Sequence, residues 1–233
     1  MGFLVAIEGI DGSGKGTQAR ELVERLGGID VSTTLLSFPR YSETLFGTAI
    51  GEFLNGAFGT LDAVAPQLAA TLYAGDRYES RPVLLDALEK HEVVVCDRYV
   101  PSNLAHQGAR LNSTQRTALL AWIQQIEYGV FALPRPDAVI WLDLPAQVTQ
   151  TLISRKAARD YTTRAADIQE ADSQYQADVR NVYQALCEAD SSWIRIDGLI
   201  DSSAPENEMI RPVEEIAEEV LAAVRVRIED RHS

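Results

Sequence analysis

The apolar run Phe3 to Glu8 gives way at once to Gly9-Ile10-Asp11-Gly12-Ser13-Gly14-Lys15-Gly16-Thr17, and residues Thr17 to Leu26 then carry helical spacing up to Gly27-Gly28. A strand that turns into a helix through a glycine loop leaves few folds open. Gly9, Gly12 and Gly14 let backbone N–H groups turn inward without a Cβ in the way, and the helix aims the positive end of its dipole into the loop. The result is a cradle for phosphate, with Lys15 placed to bridge the β- and γ-phosphates of a nucleotide.

One position departs from the strict pattern. After the lysine that pattern places Ser or Thr, whose hydroxyl ligates magnesium, and here Gly16 stands there with Thr17 one residue later. A metal in this loop relies on water and carboxylates, which suits magnesium because it keeps several waters and uses one or two carboxylates plus phosphate oxygens. Asp97, at the end of "VVVCD", is the expected second-strand carboxylate, although a strand-end Asp also caps turns. Thr17 has two readings as well, helix cap or donor to the α-phosphate. Beside Asp97, Arg98 brings a planar guanidinium fork able to hold a phosphoryl group bidentately, as an acceptor phosphate requires.

Five short β-like runs alternate with helix-length segments: Phe3 to Glu8, Ser32 to Phe38, Val93 to Asp97, Ala138 to Leu144 and Trp193 to Asp197. The alternation predicts an α/β fold, a five-stranded and mainly parallel sheet flanked by helices. The near-continuous apolar character of "VVVCD" and "AVIWLDL" predicts strands covered on both faces, with ligands gathering at their carboxyl ends. Ala63 to Lys90 reads as two helices divided near Pro82, Ser113 to Tyr128 as one helix, and Pro212 to Arg231 as an amphipathic closing helix. Lys156 to Ala166, polar and rich in Arg, reads as a mobile flap.

A chain of 233 residues with 46% hydrophobic content suffices for one sizeable domain with a small lid. Its net charge of -13 argues against a nucleic-acid or anionic-membrane surface, so an anionic ligand must meet a local cluster of cations. Two cysteines, Cys96 and Cys187, are too few for a disulfide framework and fit a reducing cytoplasm. The opening "MGFLVAIEG" has neither the basic start of a signal peptide nor the length of a membrane span.

Several segments together resemble the thymidylate kinase family: "EGIDGSGKGTQ", "FPRY" at Phe38 to Tyr41, "YAGDRYE" at Tyr73 to Glu79, "DRYVPSNLAHQGAR" at Asp97 to Arg110, "LPRPD" at Leu133 to Asp137 and "DIQEADSQY" at Asp167 to Tyr175. The loop alone marks only a nucleotide phosphate site; "DRYVPSNLAHQG" following "FPRY" is far more specific. The resemblance implies magnesium-dependent transfer of the γ-phosphoryl group of ATP to dTMP, giving dTDP and ADP, by a homodimer. It implies that Tyr73 stacks on thymine and that Arg77, one helical turn on, donates to a base carbonyl. It places Asn103, with Ser102, at the thymine edge, Phe38 and Tyr41 along the monophosphate pocket, Arg40 or Arg98 at the acceptor phosphate, and His106 and Gln107 near the sugar. Asp11 matches an acidic loop residue that approaches the acceptor phosphate and its metal, and Glu170 adds a contact to sugar or metal.

Some members carry a catalytic arginine in the phosphate loop and others on a lid. Here the variable loop positions are Ile10, Asp11 and Ser13, so the resemblance assigns the transition-state cation to a lid at about 155–166, to Arg155 or Arg159, with Arg164 a weaker choice. Family members commonly have Ser or Thr where Gly16 stands, which shifts the metal toward Asp97, Asp11 and water. Three other readings stand beside this one. Another nucleoside monophosphate kinase shares "GKGTQ"; a deoxynucleoside kinase needs a general base, for which Glu8 is available; and a silent ATP-dependent switch has no use for an acceptor side. The Ser113 to Tyr128 helix, with Leu119, Leu120, Trp122, Ile123 and Ile126, suits either a dimer interface or the core.

Overall fold

The structure, a computed structural model, describes residues 1–153, 172–200 and 210–232. The expected lid, with Arg155, Arg159 and Arg164, and Glu170 lie outside the described residues. Five strands, β1 (Phe3–Glu8), β2 (Thr33–Ser37), β3 (Val93–Asp97), β4 (Ala138–Asp143) and β5 (Trp193–Asp197), pair in the order β2-β3-β1-β4-β5, every pairing parallel. The sheet is thus parallel throughout, and two strands end one residue earlier than their apolar runs suggest. Ile7 of β1 and Ser37 of β2 both pair with Asp97 of β3, so three strands finish at one edge. The next segments leave on opposite sides of β1, and this switch point sits directly behind the glycine loop.

Period-two alternation sends each central strand's side chains into two cores. Leu4, Ala6, Val94, Cys96 and Val139 pack beneath α3 (Pro66–Lys90), α4 (Val100–Gly108) and α5 (Ser113–Gln124). Phe3, Val5, Ile7, Val95, Ile140 and Leu142 pack beneath α1 (Lys15–Gly27) and α8 (Val213–His232). A strand covered on both faces has no solvent side to mark with polar residues, which explains the unbroken apolar runs. The remaining helices are α2 (Leu45–Leu54), α6 (Ala146–Ile153) and α7 (Ser173–Ala189).

Two expectations about helices need correction. Ala63 to Lys90 is not two helices: Pro66–Lys90 runs as one, with Pro82 inside it. An interior proline costs roughly 3 kcal/mol, and buried anchors on both sides, Ala70, Ala74 and Arg77 before it, Leu84 and Leu88 after it, hold the helix together. Ser113 to Tyr128 is not one regular helix either. α5 ends at Gln124 and passes into a π-helical turn, Gln125–Val130, which brings Glu127 into the interior. Leu119 and Ile123 are buried, and Leu120 and Trp122 pack against them, so this helix serves the core.

Candidate active site

The loop between β1 and α1 is held by its glycines. Gly12 and Gly14 lie at φ 81° and 87°, a left-handed backbone that side chains rarely adopt, and Gly14 O accepts from the N–H groups of Thr17 and Gln18 at 2.9 and 3.0 Å. Lys15 is buried and bends back over the loop, its Nζ donating to Ile10 O at 2.7 Å. Burial and the neighbouring Arg98 push its ammonium down to about 7. Gly16 faces β3, where a Cβ in its place would lie 2.8 Å from Asp97 Oδ2 and 3.6 Å from Arg20 Nη1. Ser13 Oγ, buried under the loop, has no hydrogen-bond partner among the described residues.

Arg98 is the hub. It follows β3 at φ 66°, and its N–H donates to Ile7 O at 3.1 Å, tying it to the strand that carries the loop. Its Nη2 pairs with Asp11 Oδ1, and its Nη1 donates to Ser102 Oγ and His106 Nε2, each at 3.2 Å. Asp11 is clamped from α7 by Gln176, whose Nε2 donates to Asp11 Oδ2 at 2.8 Å while its Oε1 accepts from Asp11 N at 3.1 Å. Burial alone would raise the Asp11 carboxyl, but Arg98, with His106 and Lys15, holds it well below the usual carboxylate range. Burial pushes His106 the other way, down to about 3. A guanidinium only donates, so the neutral ring offers Nε2 as acceptor and carries its proton on Nδ1 toward Tyr175 Oη at 3.1 Å. Tyr175 Oη then donates to His106 O at 3.0 Å.

These groups open into a cavity of about 450 Å³ whose far end is built by α3 and α4. Phe38, Tyr41, Tyr73, Arg77, Ser102, Asn103, His106 and Gln107 line it together with Asp11, Gly12, Gly14, Lys15, Gly16, Thr17, Asp97 and Arg98. Arg77 donates through Nε and Nη2 to Glu127 at 2.6 and 2.5 Å, which leaves Nη1 for another acceptor. Asn103 Nδ2 donates to Ala70 O at 3.0 Å and to Glu127 Oε1 at 2.8 Å, while its Oδ1 is buried without a partner among the described residues. Gln107 Oε1 accepts from Arg110, and its Nε2 has no partner among the described residues. Arg77, Asn103 and Gln107 line the cavity with bonding capacity unspent among the described residues, Asn103 Oδ1 and Gln107 Nε2 themselves being covered by protein.

A thymidylate kinase family model matches residues 7–207 of the chain. The chain belongs to the thymidylate kinase family. It is 36% identical over 188 residues to thymidylate kinase of Mycobacterium tuberculosis, covering 79% of this chain and 85% of that protein. Thymidylate kinase of Leifsonia xyli is 33% identical over 233 residues, 99% of this chain and 96% of that one. The human enzyme is 34% identical over 143 residues, 61% of each chain. A solved structure of thymidylate kinase from Candida albicans superposes with a TM-score of 0.73 over 97% of this chain and 92% of its own, at 24% identity, a likeness of fold.

For a thymidylate kinase site, the arrangement has several points that residue order alone does not give. Arg40 does not line the cavity: its guanidinium pairs with Glu43 and its N–H is held by the Asp76 carboxylate at 3.2 and 3.3 Å. Gly9 and Ser13 shape the loop from beneath rather than facing the cavity. Ser102 lines the cavity but spends its hydroxyl proton on Glu8, at 2.6 Å. Glu8 itself is fully buried and accepts from Tyr99 N at 2.7 Å, Ser102 Oγ and, at 2.9 Å, Tyr183 Oη, so it does not face the cavity as the base of a deoxynucleoside kinase must. The sequence alone does not single out Glu127 or Gln176: Gln176 sits among polar neighbours on α7, and the burial of both follows only from packing. Arg20 also lines the cavity, one turn beyond Gly16 on α1.

The donor set fits magnesium. Asp11 and Asp97 line the cavity together with Lys15, Asp11 with each oxygen already accepting one bond, from Arg98 and Gln176, and the described residues contain no group of three or more His, Cys, Asp or Glu side chains that could hold a metal ion. Two carboxylates, with phosphate oxygens and water completing the shell, is a magnesium arrangement rather than a zinc or calcium cage.

Proposed function

We propose that this cavity carries out the family's reaction, transfer of the γ-phosphoryl group of ATP to dTMP, and that its residues divide the work between two phosphate positions. The loop from Gly9 to Thr17 binds the donor through its N–H groups, with Lys15 on the β- and γ-phosphates. Arg98 holds the acceptor phosphate. Tyr73 stacks on the thymine, Arg77 donates to a base carbonyl, Asn103 meets the base edge, and His106 and Gln107 meet the sugar. Asp11 and Asp97 would hold Mg²⁺, which when bound neutralises charge between the two phosphate groups. Arg155 and Arg159 are assigned as transition-state cations because the loop itself carries no arginine, and Glu170 is assigned to the sugar or metal.

The observation that carries this reading is Arg98, a half-buried guanidinium facing the same cavity as Lys15 and held by Asp11, Ser102 and His106. A phosphate acceptor is already a nucleophile and needs positioning and charge neutralisation, which is what these groups offer. ADP release with dTMP, dUMP, AMP and thymidine as acceptors tests it. Turnover with dTMP is expected, and turnover with thymidine but none with dTMP would reject it.

The same reading includes a homodimer and a cytoplasmic place of action. Leu68, Tyr78 and Val83 stand exposed on α3, the helix flanking β3, and suit a second copy of the chain. Light scattering of the purified protein tests the assembly. No described helix is long and apolar enough to cross a membrane.

A further inference from the structure

We propose that Glu127, which does not line the cavity, fixes the orientation of the Asn103 amide and of Arg77 and thereby selects a pyrimidine that carries a hydrogen on N3. This rests on the reading that Asn103 meets the base edge. Glu127 is fully buried in the π-helical turn that interrupts the end of α5, a local irregularity of the kind found at functional sites.

As a carboxylate, Glu127 only accepts. Its Oε1 takes one N–H of Asn103 at 2.8 Å and Arg77 Nη2 at 2.5 Å, and its Oε2 takes Arg77 Nε at 2.6 Å. Asn103 gives its other N–H to Ala70 O at 3.0 Å. Both amide hydrogens are committed to the protein, so the oxygen is the atom left over, and Oδ1 is the one without a partner. An amide free to rotate by 180° presents either a donor or an acceptor. This one presents an acceptor alone.

Asn103 lines the cavity, so a base edge that reaches Oδ1 meets an acceptor, which pairs with the N3–H of thymine or uracil and opposes the N3 lone pair of cytosine. Arg77, locked by the same carboxylate, turns Nη1 to the ring, where a donor suits the carbonyl of thymine and opposes the amino group of cytosine. Glu127 is thus a positioning residue whose two bonds set one donor and one acceptor in the order that thymine complements. Sites that bond a substrate's polar group reject analogues lacking it by large factors, because the site's own groups are then left unpaired.

The test compares kcat/KM for dTMP and dCMP in the intact enzyme and in Glu127→Gln. Gln places an N–H donor against either Asn103 or Arg77, so the dTMP-over-dCMP ratio should fall by about tenfold or more. A merely structural role lowers both rates together and leaves the ratio unchanged, and that result would overturn the proposal. If Glu127→Gln does not fold, Glu127→Asp keeps the charge beside Arg77 but withdraws the carboxylate from Asn103, and an unchanged ratio there overturns it equally. Binding of 3-methyl-dTMP to the unmodified protein separates the two layers. Affinity equal to that of dTMP would remove the base-edge reading itself, whereas lost affinity with an unchanged Glu127→Gln ratio would reject only the role of Glu127.

Discussion

Gly16 and Asp97 share one small volume: a Cβ on Gly16 would lie 2.8 Å from Asp97 Oδ2, closer than real Cβ atoms approach an oxygen. A side chain at this position, such as the hydroxyl residue that phosphate loops usually carry after the lysine, must therefore push the Asp97 carboxylate aside. On the proposed reading, Asp97 supplies across the β1–β3 pair the oxygen donor that the loop lacks at Gly16.

Restoring the usual residue should consequently harm the enzyme. Gly16→Ser is expected to displace the Asp97 carboxylate, to lower kcat by about tenfold or more, and to move the magnesium dependence of the rate to higher concentration. A magnesium titration of ADP release checks this. A variant as active as the parent at low magnesium would show that the serine replaces Asp97 without cost.

Lys15 should couple nucleotide binding to protons. Its folded value of about 7 lies below its ordinary 10.5, so between those limits the unfolded chain binds more protons and the unliganded protein gains stability as pH rises. Donor phosphates favour the ammonium, so ATP binding at pH 8 should be accompanied by proton uptake, read by calorimetry in buffers of different ionisation heat. Lys15→Met should lose that uptake and about 100-fold or more in kcat. ATP binding at pH 8 without proton uptake in the parent protein would contradict the account.

His106 should appear in stability against acid. With a folded value of about 3 against 6.5 ordinarily, it binds fewer protons in the native state, and its contribution is lost as pH falls from 6.5 toward 3. Asp11, Arg98, Lys15 and Tyr175 face the ring, so a proton on it would meet two cations and displace the bond from Arg98. The fall in Tm between pH 6.5 and 4.5 should be smaller in His106→Gln than in the parent protein, and an equal fall in both would show that the ring titrates normally.

Much of this was readable in the sequence because the physics involved is local. The strand, glycine loop and helix are consecutive, and doubly covered strands announce themselves as apolar runs, so β1, β3 and the loop stand where expected. The i, i+4 spacing of Tyr73 and Arg77 holds because both lie on the stretch of α3 that precedes Pro82. What escaped depends on packing between distant segments. Glu127 reaches Arg77 and Asn103 only through a π-helical turn, and no local propensity marks that turn. Arg40 sits in a motif that suggests a phosphate contact, yet Glu43, three residues on, takes its guanidinium. The crowding of Gly16 against Asp97 joins residues 81 positions apart and is visible only once β1 and β3 are side by side.

The most direct test concerns Arg98. If it holds the acceptor phosphate, Arg98→Ala should weaken dTMP binding by about 100-fold or more while leaving thymidine, which has no phosphate, bound as before. Dissociation constants for the two ligands, measured by calorimetry on parent and variant, decide it. Unchanged dTMP affinity, or equal losses for dTMP and thymidine, would contradict the account.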